Sequence, residues 1–315
     1  MSISSIEDLS NELFYEIFEY LDACKIYYAF SNLNYRFQKL INSSSLLLKL
    51  KLDDSKSEKI FMNNYQQILH FNKGQIFSIH LWTSENTNQI ISTFTIDSSF
   101  NCLESLVFYA IKSDVLVSLL PTLTYLPHLF SLTIEIWSNI KDLGDIYRLI
   151  FNLPKLKYIK FKAMESNDDI TISLPIATNE QISSIEHLIM EHPCAFDELF
   201  AIKSYTPHLH HLKFLSLTHR KVNIRNIKPM ILPNLIHLSI HIYRKMSFDI
   251  FEIFIRLILT EIKNVSNSLL RLLCFSIPEA HDEMIEKLEK MIDDKNLRFD
   301  FTIKHVMDTI YLQWK

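Results

Sequence analysis

The sequence predicts an α/β solenoid, in which short parallel strands alternate with helices, preceded by a small helical module. A unit of the form apolar-x-x-apolar-x-apolar recurs eight times, and its first positions are 27, 26, 27, 29, 24, 26 and 35 residues apart. One such unit cannot cover its own apolar face, so neighbouring units are expected to stack into a continuous core. The chain of 315 residues is 48% hydrophobic, which supplies enough apolar side chains for that core.

Each unit is expected to contribute one strand whose apolar residues alternate with outward-facing ones. The units begin at Ile76, Leu103, Leu129, Leu156, Ile185, Leu209, Leu235 and Leu270. Four units are introduced by proline, which stops the preceding helix and favours an extended chain. Four inward-facing positions are predicted to be fully buried: Leu132, Ile159, Leu188 and Leu238. A ninth, degenerate unit starting at Leu297 and a C-terminal cap complete the predicted repeat segment, 76–315.

This pattern resembles leucine-rich repeats, whose period is about 20–29 residues with one strand per unit. The resemblance implies a curved, mainly parallel sheet with outer helices. The chain departs from that family in lacking a regular Asn or Cys after the strand. Two well-formed helices are also predicted within the repeat segment, at 247–263 and at 279–293.

Residues 1–45 are predicted to form three short helices, and residues 46–75 a linker with mixed charges followed by a helix. In the first helix, apolar residues fall at helical spacing: Leu9, Leu13, Ile17, Phe18 and Leu21. Ser10 can cap the start of that helix. Three short helices bury too little surface to be stable alone, so the module should lean on the next domain or on a partner.

The module resembles an F-box. That family's pattern begins Leu-Pro-x-Glu-Leu, continues to Ile-Phe and closes with Tyr-Leu. The chain carries this first half between Leu9 and Leu21. The second half is matched by Ile26, Ala29, Leu33, Arg36, Phe37 and Leu40. The chain departs from the pattern at two positions, with Ser10 in place of the family's proline and Phe37 in place of its tryptophan.

The F-box resemblance implies a partner, because F-boxes dock onto the S-phase-kinase-associated adaptor, which bridges to a cullin–RING ubiquitin ligase core. The residues that it implies for adaptor binding are Leu9, Ser10, Leu13, Ile17 and Leu21, with Ile26, Leu33 and Phe37 supporting them. Such a dock is a hydrophobic helix surface with anchors at helical spacing. The alternative is an ordinary amphipathic three-helix cap on the solenoid.

The outward positions of the predicted strands form a chemically mixed surface, which suits recognition of an unknown client protein. The candidate client-binding residues are Trp82, Tyr109, Tyr158, Lys160, Lys162, His187, His211 and His237. The three histidines occupy the same position in consecutive units, so they should stack as a ladder with a spacing of about 4.8 Å. Zinc ligands must converge on one point, whereas a ladder spreads them along a line. We therefore interpret the ladder as a solvated polar row and predict no metal site.

Composition excludes several function classes. The formal net charge of −4 offers no global attraction to nucleic acid or to an anionic membrane. Two isolated glycines, Gly74 and Gly144, cannot build a phosphate-binding loop or a dinucleotide fingerprint. Four scattered cysteines indicate a reducing compartment, and the first residues lack the features of a signal peptide. These observations predict a cytoplasmic or nuclear protein without a cofactor.

No catalytic arrangement stands out in the sequence. Cys194 follows a His-Pro pair, but nothing marks it as a thiolate nucleophile, and no serine lies in a Gly-x-Ser-x-Gly turn. The leading hypothesis is a non-enzymatic substrate-recognition subunit of a cullin–RING ubiquitin ligase. A repeat scaffold that binds proteins without a ligase role is the first alternative, and a hydrolase of unrecognised type is the second.

Overall fold

The computed structural model of the chain describes twelve segments: 6–52, 68–69, 72–82, 96–138, 140–163, 170–215, 234–241, 255–256, 270–276, 286–290, 301–306 and 309–314. Their strands form a mostly parallel sheet of eleven strands, which confirms the predicted α/β class. The chain divides into two compact units, Met1–Ile136 and Trp137–Lys315. Within the described segments, no helix has the length and apolar character needed to cross a bilayer.

The first unit begins with three short helices, each started by a side-chain cap. A 3-10 turn at Ile6–Asp8 precedes α1 (Asn11–Glu19), α2 (Ala23–Phe30) and α3 (Tyr35–Ile41). Ser10, Asp22 and Asn34 accept hydrogen bonds from backbone N–H groups in the first turns of α1, α2 and α3. Caps of this kind contribute about 1 kcal/mol each, which matters for helices of only seven to nine residues.

Four phenylalanines form the core of the helical module: Phe14, Phe18, Phe30 and Phe37. The ring centroids of Phe14 and Phe37 are 4.8 Å apart with nearly perpendicular planes, and those of Phe30 and Phe37 are 5.3 Å apart. Edge-to-face pairs add about 0.5–1.5 kcal/mol beyond their buried area. The sequence pattern did not identify Phe14 as a core residue.

The sheet of the first unit contains four parallel strands in sequence order: β1 (Leu48–Leu52), β2 (Ile76–Trp82), β3 (Ser105–Ile111) and β4 (Ser131–Ile136). Helix α4 (Ser113–Leu119) and a 3-10 helix at Leu120–Tyr125 connect β3 to β4. Strand β1 lies in the segment that the sequence analysis interpreted as a linker. The helix predicted after that linker lies largely outside the described residues, which include 68–69 in helical conformation.

The second unit contains the remaining seven strands. Five are parallel neighbours in sequence order: β5 (Tyr158–Ala163), β6 (His187–Glu191), β7 (His211–Leu215), β8 (His237–His241) and β9 (Leu272–Ser276). Helix α5 (Gly144–Phe151) precedes β5, and α6 (Phe196–Tyr205) connects β6 to β7. A strand is therefore found in each of the eight predicted repeat units, β2 to β9.

The C-terminal end of the sheet differs from a ninth repeat. Strands β10 (Phe301–Val306) and β11 (Thr309–Trp314) form an antiparallel pair, and β11 also pairs antiparallel with β9. Only residues 307 and 308 separate the two strands, and such a short connection permits antiparallel but not parallel pairing. Of the two helices predicted earlier in this segment, residues 255–256 and 286–290 are described, and both are helical.

The register of the strands places the predicted inward residues in the core. Leu132, Ile159, Leu188 and Leu238 are at most 2% exposed, as predicted. In the second unit Leu188 lies opposite Ile159 on one side and Leu212 on the other. Positions that alternate with these residues are half-buried on the opposite face of the sheet.

Gly144 begins α5 where the backbone of another loop approaches closely. A Cβ atom at this position would lie 2.4 Å from the carbonyl oxygen of Ser173. The contact is held in place because the Asp142 carboxylate accepts hydrogen bonds from the backbone N–H groups of both residues, at 2.9 and 2.8 Å. There is therefore no room for a Cβ atom at position 144, which explains the glycine.

We expect Gly144→Ala to destabilise the second unit by about 1–3 kcal/mol through overpacking, although alanine is the better helix former. Gly74→Ala is the matched control, because its Cβ would meet only the side chain of Asn101, at 3.2 Å. Urea titrations followed by circular dichroism would measure both changes. Equal stability of the two variants would contradict the close approach at Ser173.

Candidate interaction surfaces

The helical module leaves apolar side chains exposed although its own core is filled. Leu13 on α1 is 44% exposed, Leu33 is 52% exposed, and Leu9, Ile17 and Leu21 are half-buried. Ser10 is exposed and serves as the helix cap. Because one residue turns a helix by about 100°, the exposed Leu13 and the half-buried Ile17 lie beside, not on, the buried line of Phe14 and Phe18.

Two of the three residues that were predicted to support the adaptor-binding side chains are core residues. Ile26 is 1% exposed and Phe37 is fully buried, so both can support the surface without contacting a partner. Four further apolar side chains of this module are exposed, which the sequence pattern did not predict: Ile6, Tyr20, Tyr28 and Tyr35. Aromatic residues on the otherwise polar sides of the short helices were the signal that could have found three of them.

Arg36 fixes the start of the module to α3. Its guanidinium donates to the backbone carbonyls of Glu7 and Leu9 and to the Asn11 side chain, and it lies 5.4 Å from the centre of the Phe14 ring. The Asn34 side chain adds a hydrogen bond to the Glu7 carboxylate at 2.9 Å. Leu9 and Ser10 are therefore held in one orientation beside the exposed face of α1.

A polar network fastens the module to the sheet of the first unit. The buried Tyr27 hydroxyl donates to Asn72, which in turn donates to Gln75. The Gln75 amide donates to backbone carbonyls that follow α3, including those of Ser43 and Leu46. Burial raises the pKa of Tyr27 to about 12, so its hydroxyl stays protonated as a donor. As expected from its size, the module leans on the next part of the chain.

The outward face of the first unit's sheet carries an aromatic pair. Trp82 is 45% exposed and Tyr109 is half-buried, and their ring centroids are 5.2 Å apart. Beside them, His80 lies opposite Lys51 in register. Burial, assisted by the charges of Lys49 and Lys51, lowers the pKa of His80 to about 4. This face therefore combines aromatic surface with a neutral imidazole and two lysines.

The outward face of the second unit's sheet carries the other six predicted client-binding residues, all half-buried. Tyr158, His187, His211 and His237 lie in register on four neighbouring strands. The rings of His187 and His211 are stacked at 4.3 Å with only 7° between their planes, and His237 follows at 5.7 Å. The three histidines therefore lie in the predicted row, but only His187 and His211 are stacked, because the ring planes of His211 and His237 are 70° apart.

A second row runs parallel to the histidine ladder, one pleat along the strands. The register aligns Lys160, Ile189, Lys213, Ser239, Cys274, Tyr311 and Lys304 across the sheet. Lys160 pairs with Glu191 at 3.0 Å, and Lys162 lies opposite Glu191 on the neighbouring strand. Lys304 and Tyr311 were missed because the antiparallel arrangement of their strands was not predicted.

The thiols of Cys194 and Cys274 are both buried. Among the described residues, no group of three His, Cys, Asp or Glu side chains is arranged to hold a metal ion. Cys194 is 1% exposed and its thiol donates to the Ala195 carbonyl at 3.4 Å, so a substrate has no direct approach to it. Burial raises the pKa of Cys274 to about 11, which keeps this thiol protonated.

No protein-family model matches the chain, and no curated protein matches it either. The F-box and leucine-rich-repeat resemblances therefore stay predictions that rest on the residues themselves.

Proposed function

We propose that the chain is a substrate-recognition subunit of a cullin–RING ubiquitin ligase, with an F-box-like module that binds the adaptor and a repeat solenoid that binds a client protein. The observation that carries the proposal is the apolar line Leu9, Leu13, Ile17 and Leu21 on a module whose core is already filled by four phenylalanines. Leu13 is exposed and the other three side chains of this line are half-buried. Apolar side chains that packing does not require are costly to leave in water unless a partner covers them.

The proposed dock needs a rigid surface, and the contacts of Arg36 and Gln75 supply one. Arg36 orients the segment that contains Leu9 and Ser10, and Gln75 ties the end of α3 to β2. A preformed surface loses little conformational entropy on binding, so more of the contact energy appears as affinity. The replacement of the family's proline by Ser10 removes an apolar contact but keeps the helix start, because serine caps it.

Client recognition in this proposal uses the outward faces of the sheet in each unit. The first unit offers the Trp82 and Tyr109 pair, and the second offers the histidine ladder with its lysines. In such a receptor the ligation chemistry belongs to other subunits, so the chain itself requires only binding surfaces. The second candidate function, a protein-binding scaffold without a ligase role, uses the same sheet faces and needs no adaptor.

We expect the double variant Leu9→Ala and Leu13→Ala to weaken adaptor binding at least about a hundredfold, because interface anchors contribute about 2 kcal/mol or more each. The measurement is the affinity of the full-length chain for the purified S-phase-kinase-associated adaptor. Circular dichroism would show that the variant keeps its fold, since neither side chain belongs to the buried core.

The control for adaptor binding is the double variant Leu47→Ala and Val117→Ala. It truncates two other exposed apolar side chains of the first unit, which are 52% and 39% exposed. This variant should bind the adaptor like the unmodified chain. If the unmodified chain itself fails to bind the adaptor, the ligase role is wrong and the scaffold role takes its place.

A further inference from the structure

The outward sheet face of the second unit is basic in an acidic chain. Its charged residues on the described strands β5 to β11 are Lys160, Lys162, Lys213 and Lys304 against a single Glu191. The whole chain carries a formal charge of −4. Lys213 forms no ion pair with any described residue, and the nearby Lys157 and Glu186 neutralise each other at 2.8 Å. This face is therefore electrostatically complementary to an anionic partner.

The histidine ladder at the centre of this face can gain positive charge when its imidazoles are protonated. Stacked imidazoles 4.3 Å apart repel when both are protonated, so the ladder by itself resists full protonation. Burial, followed by the neighbouring His187, His237 and His210, holds the pKa of His211 below its usual value. Burial and then Lys213 do the same for the pKa of His237.

Other titratable groups face the ladder and affect the protonation of its histidines. Tyr158 and Lys160 face it from β5, Lys213 from β7 and Cys274 from β9, where the Cys274 thiol is 3.7 Å from His237. His241, on β8, has its pKa lowered by burial and by Lys213, against the opposing effect of Glu191. Glu191 is already paired with Lys160. Glu186, which also interacts electrostatically with His210 and His187, is paired with Lys157. An added anion would therefore be the missing counter-charge for protonated histidines.

We propose that this face binds an acidic polypeptide segment, whose carboxylate or phosphate groups lie along the ladder of His187, His211 and His237, and that binding takes up protons onto the histidines. The inference deepens the proposed function, since the segment would belong to the client. The ladder spans two strand spacings, about 10 Å, which matches three residues of an extended chain. Alternating acidic residues of such a segment would therefore meet the ladder and its flanking lysines.

A polypeptide fits this face better than a nucleic acid does. Nucleic-acid binding gains its affinity from neutralising many phosphates along a long basic track. On the described strands of the second unit, the outward face carries four lysines together with Glu191, and the chain as a whole is negative. A short segment with a few carboxylates or phosphates is matched to the few positive groups available.

The test measures binding of fluorescent peptides to the full-length chain by anisotropy. An alternating Glu-Ser peptide, its Gln-Ser counterpart and its Gln-phosphoserine counterpart would each be titrated at about pH 6 and about pH 7.5, the range in which histidine changes charge. We expect the two anionic peptides to bind at least about fivefold more tightly at the lower pH, and the neutral peptide not to bind. The tighter of the two anionic peptides identifies the source of the negative charge.

Three variants separate the contributions. The triple change His187→Gln, His211→Gln and His237→Gln should remove the dependence on pH. Ile189→Asp places a carboxylate between Lys160 and Lys213 in register and should weaken the anionic peptides at both pH values. His128→Gln, in the first unit, is the matched histidine control and should change nothing.

The proposal is overturned if the Gln-Ser peptide binds equally well, if the triple variant keeps the dependence on pH, or if a single-stranded oligonucleotide of equal charge binds more tightly than the peptides. The double variant Leu9→Ala and Leu13→Ala should retain peptide binding. Adaptor binding and peptide binding can therefore be lost independently, so the two proposals are tested separately.

Discussion

Replacing Leu188 by aspartate will unfold the second unit at neutral pH, whereas the same replacement at the neighbouring Ile189 will leave it folded. Leu188 is fully buried on β6, between Ile159 and Leu212 on the adjacent strands. Truncating such a side chain costs about 2–5 kcal/mol, and burying an unpaired carboxylate adds several more. The sum is comparable with the whole stability of a typical domain, about 5–15 kcal/mol.

Ile189 is the matched control because it lies on the same strand and faces the other way. It is half-buried, and its neighbours in register are Lys160 and Lys213, which offer a new carboxylate two cations. Circular dichroism and thermal melts of both variants provide the measurement. A Leu188→Asp protein with the melting temperature of the unmodified chain would show that the strand register is wrong.

The strands of the repeats could be predicted because their spacing encodes their burial. Apolar residues two apart, such as Leu188 and Met190, point to one face of a strand, and one such pair recurs in every unit. The histidine ladder follows from the same register, since equal positions in consecutive units lie side by side. Both results depend only on local periodicity and on parallel stacking.

Features at the two ends of the sheet could not be derived from the repeat. Strand β1 has the alternation Leu48, Leu50 and Leu52, but its two lysines made it resemble the charged linker that follows. At the other end, the direction of β11 depends on a two-residue connection to β10, and the repeat pattern carries no information about that connection. Lys304 and Tyr311 therefore could not be assigned to the basic face.

For the helical module, the sequence pattern predicted the first helix but not which of its faces is buried. Leucine and isoleucine spacing correctly predicted a helix, but the core is made by the adjacent line of phenylalanines, Phe14 and Phe18. Two apolar lines on one short helix can each be the buried one, and only packing against Phe30 and Phe37 decides between them. That packing leaves Leu13 exposed and Leu9, Ile17 and Leu21 half-buried, and the proposed adaptor dock depends on this line.

Acidification should destabilise the second unit through one buried histidine, His192. This side chain is fully buried and its Nε2 lies 2.6 Å from the Tyr147 hydroxyl. Its Nδ1 lies 3.0 Å from the Pro193 carbonyl, which can only accept, so Nδ1 carries the proton and Nε2 accepts from Tyr147. The neutral imidazole is thus fully hydrogen-bonded, and a second proton would create a buried charge.

Burial lowers the pKa of His192 to about 4 and outweighs the opposing effect of its hydrogen bond to Pro193. In the unfolded chain the ordinary value is about 6.5. Between these values the unfolded state binds the proton and the folded state does not. The stability contributed by the neutral histidine is therefore complete above about pH 6.5 and is lost as the pH falls towards 4, by about 3 kcal/mol in total.

Two variants isolate the contribution of His192 to this acid sensitivity. His192→Gln cannot titrate, so its free energy of unfolding should fall less steeply between about pH 7 and pH 4.5, by about 2 kcal/mol relative to the unmodified chain. Tyr147→Phe removes the hydrogen-bond donor but leaves the imidazole buried. It should lower stability by about 1–3 kcal/mol at neutral pH while keeping the steep acid dependence.

Carboxylates such as Glu186, whose pKa is lowered by the hydrogen bond from Lys157, titrate equally in all three proteins and cancel in the comparison. Urea titrations at several pH values would measure these slopes, and a His192→Gln protein as acid-sensitive as the unmodified chain would assign the effect to other groups.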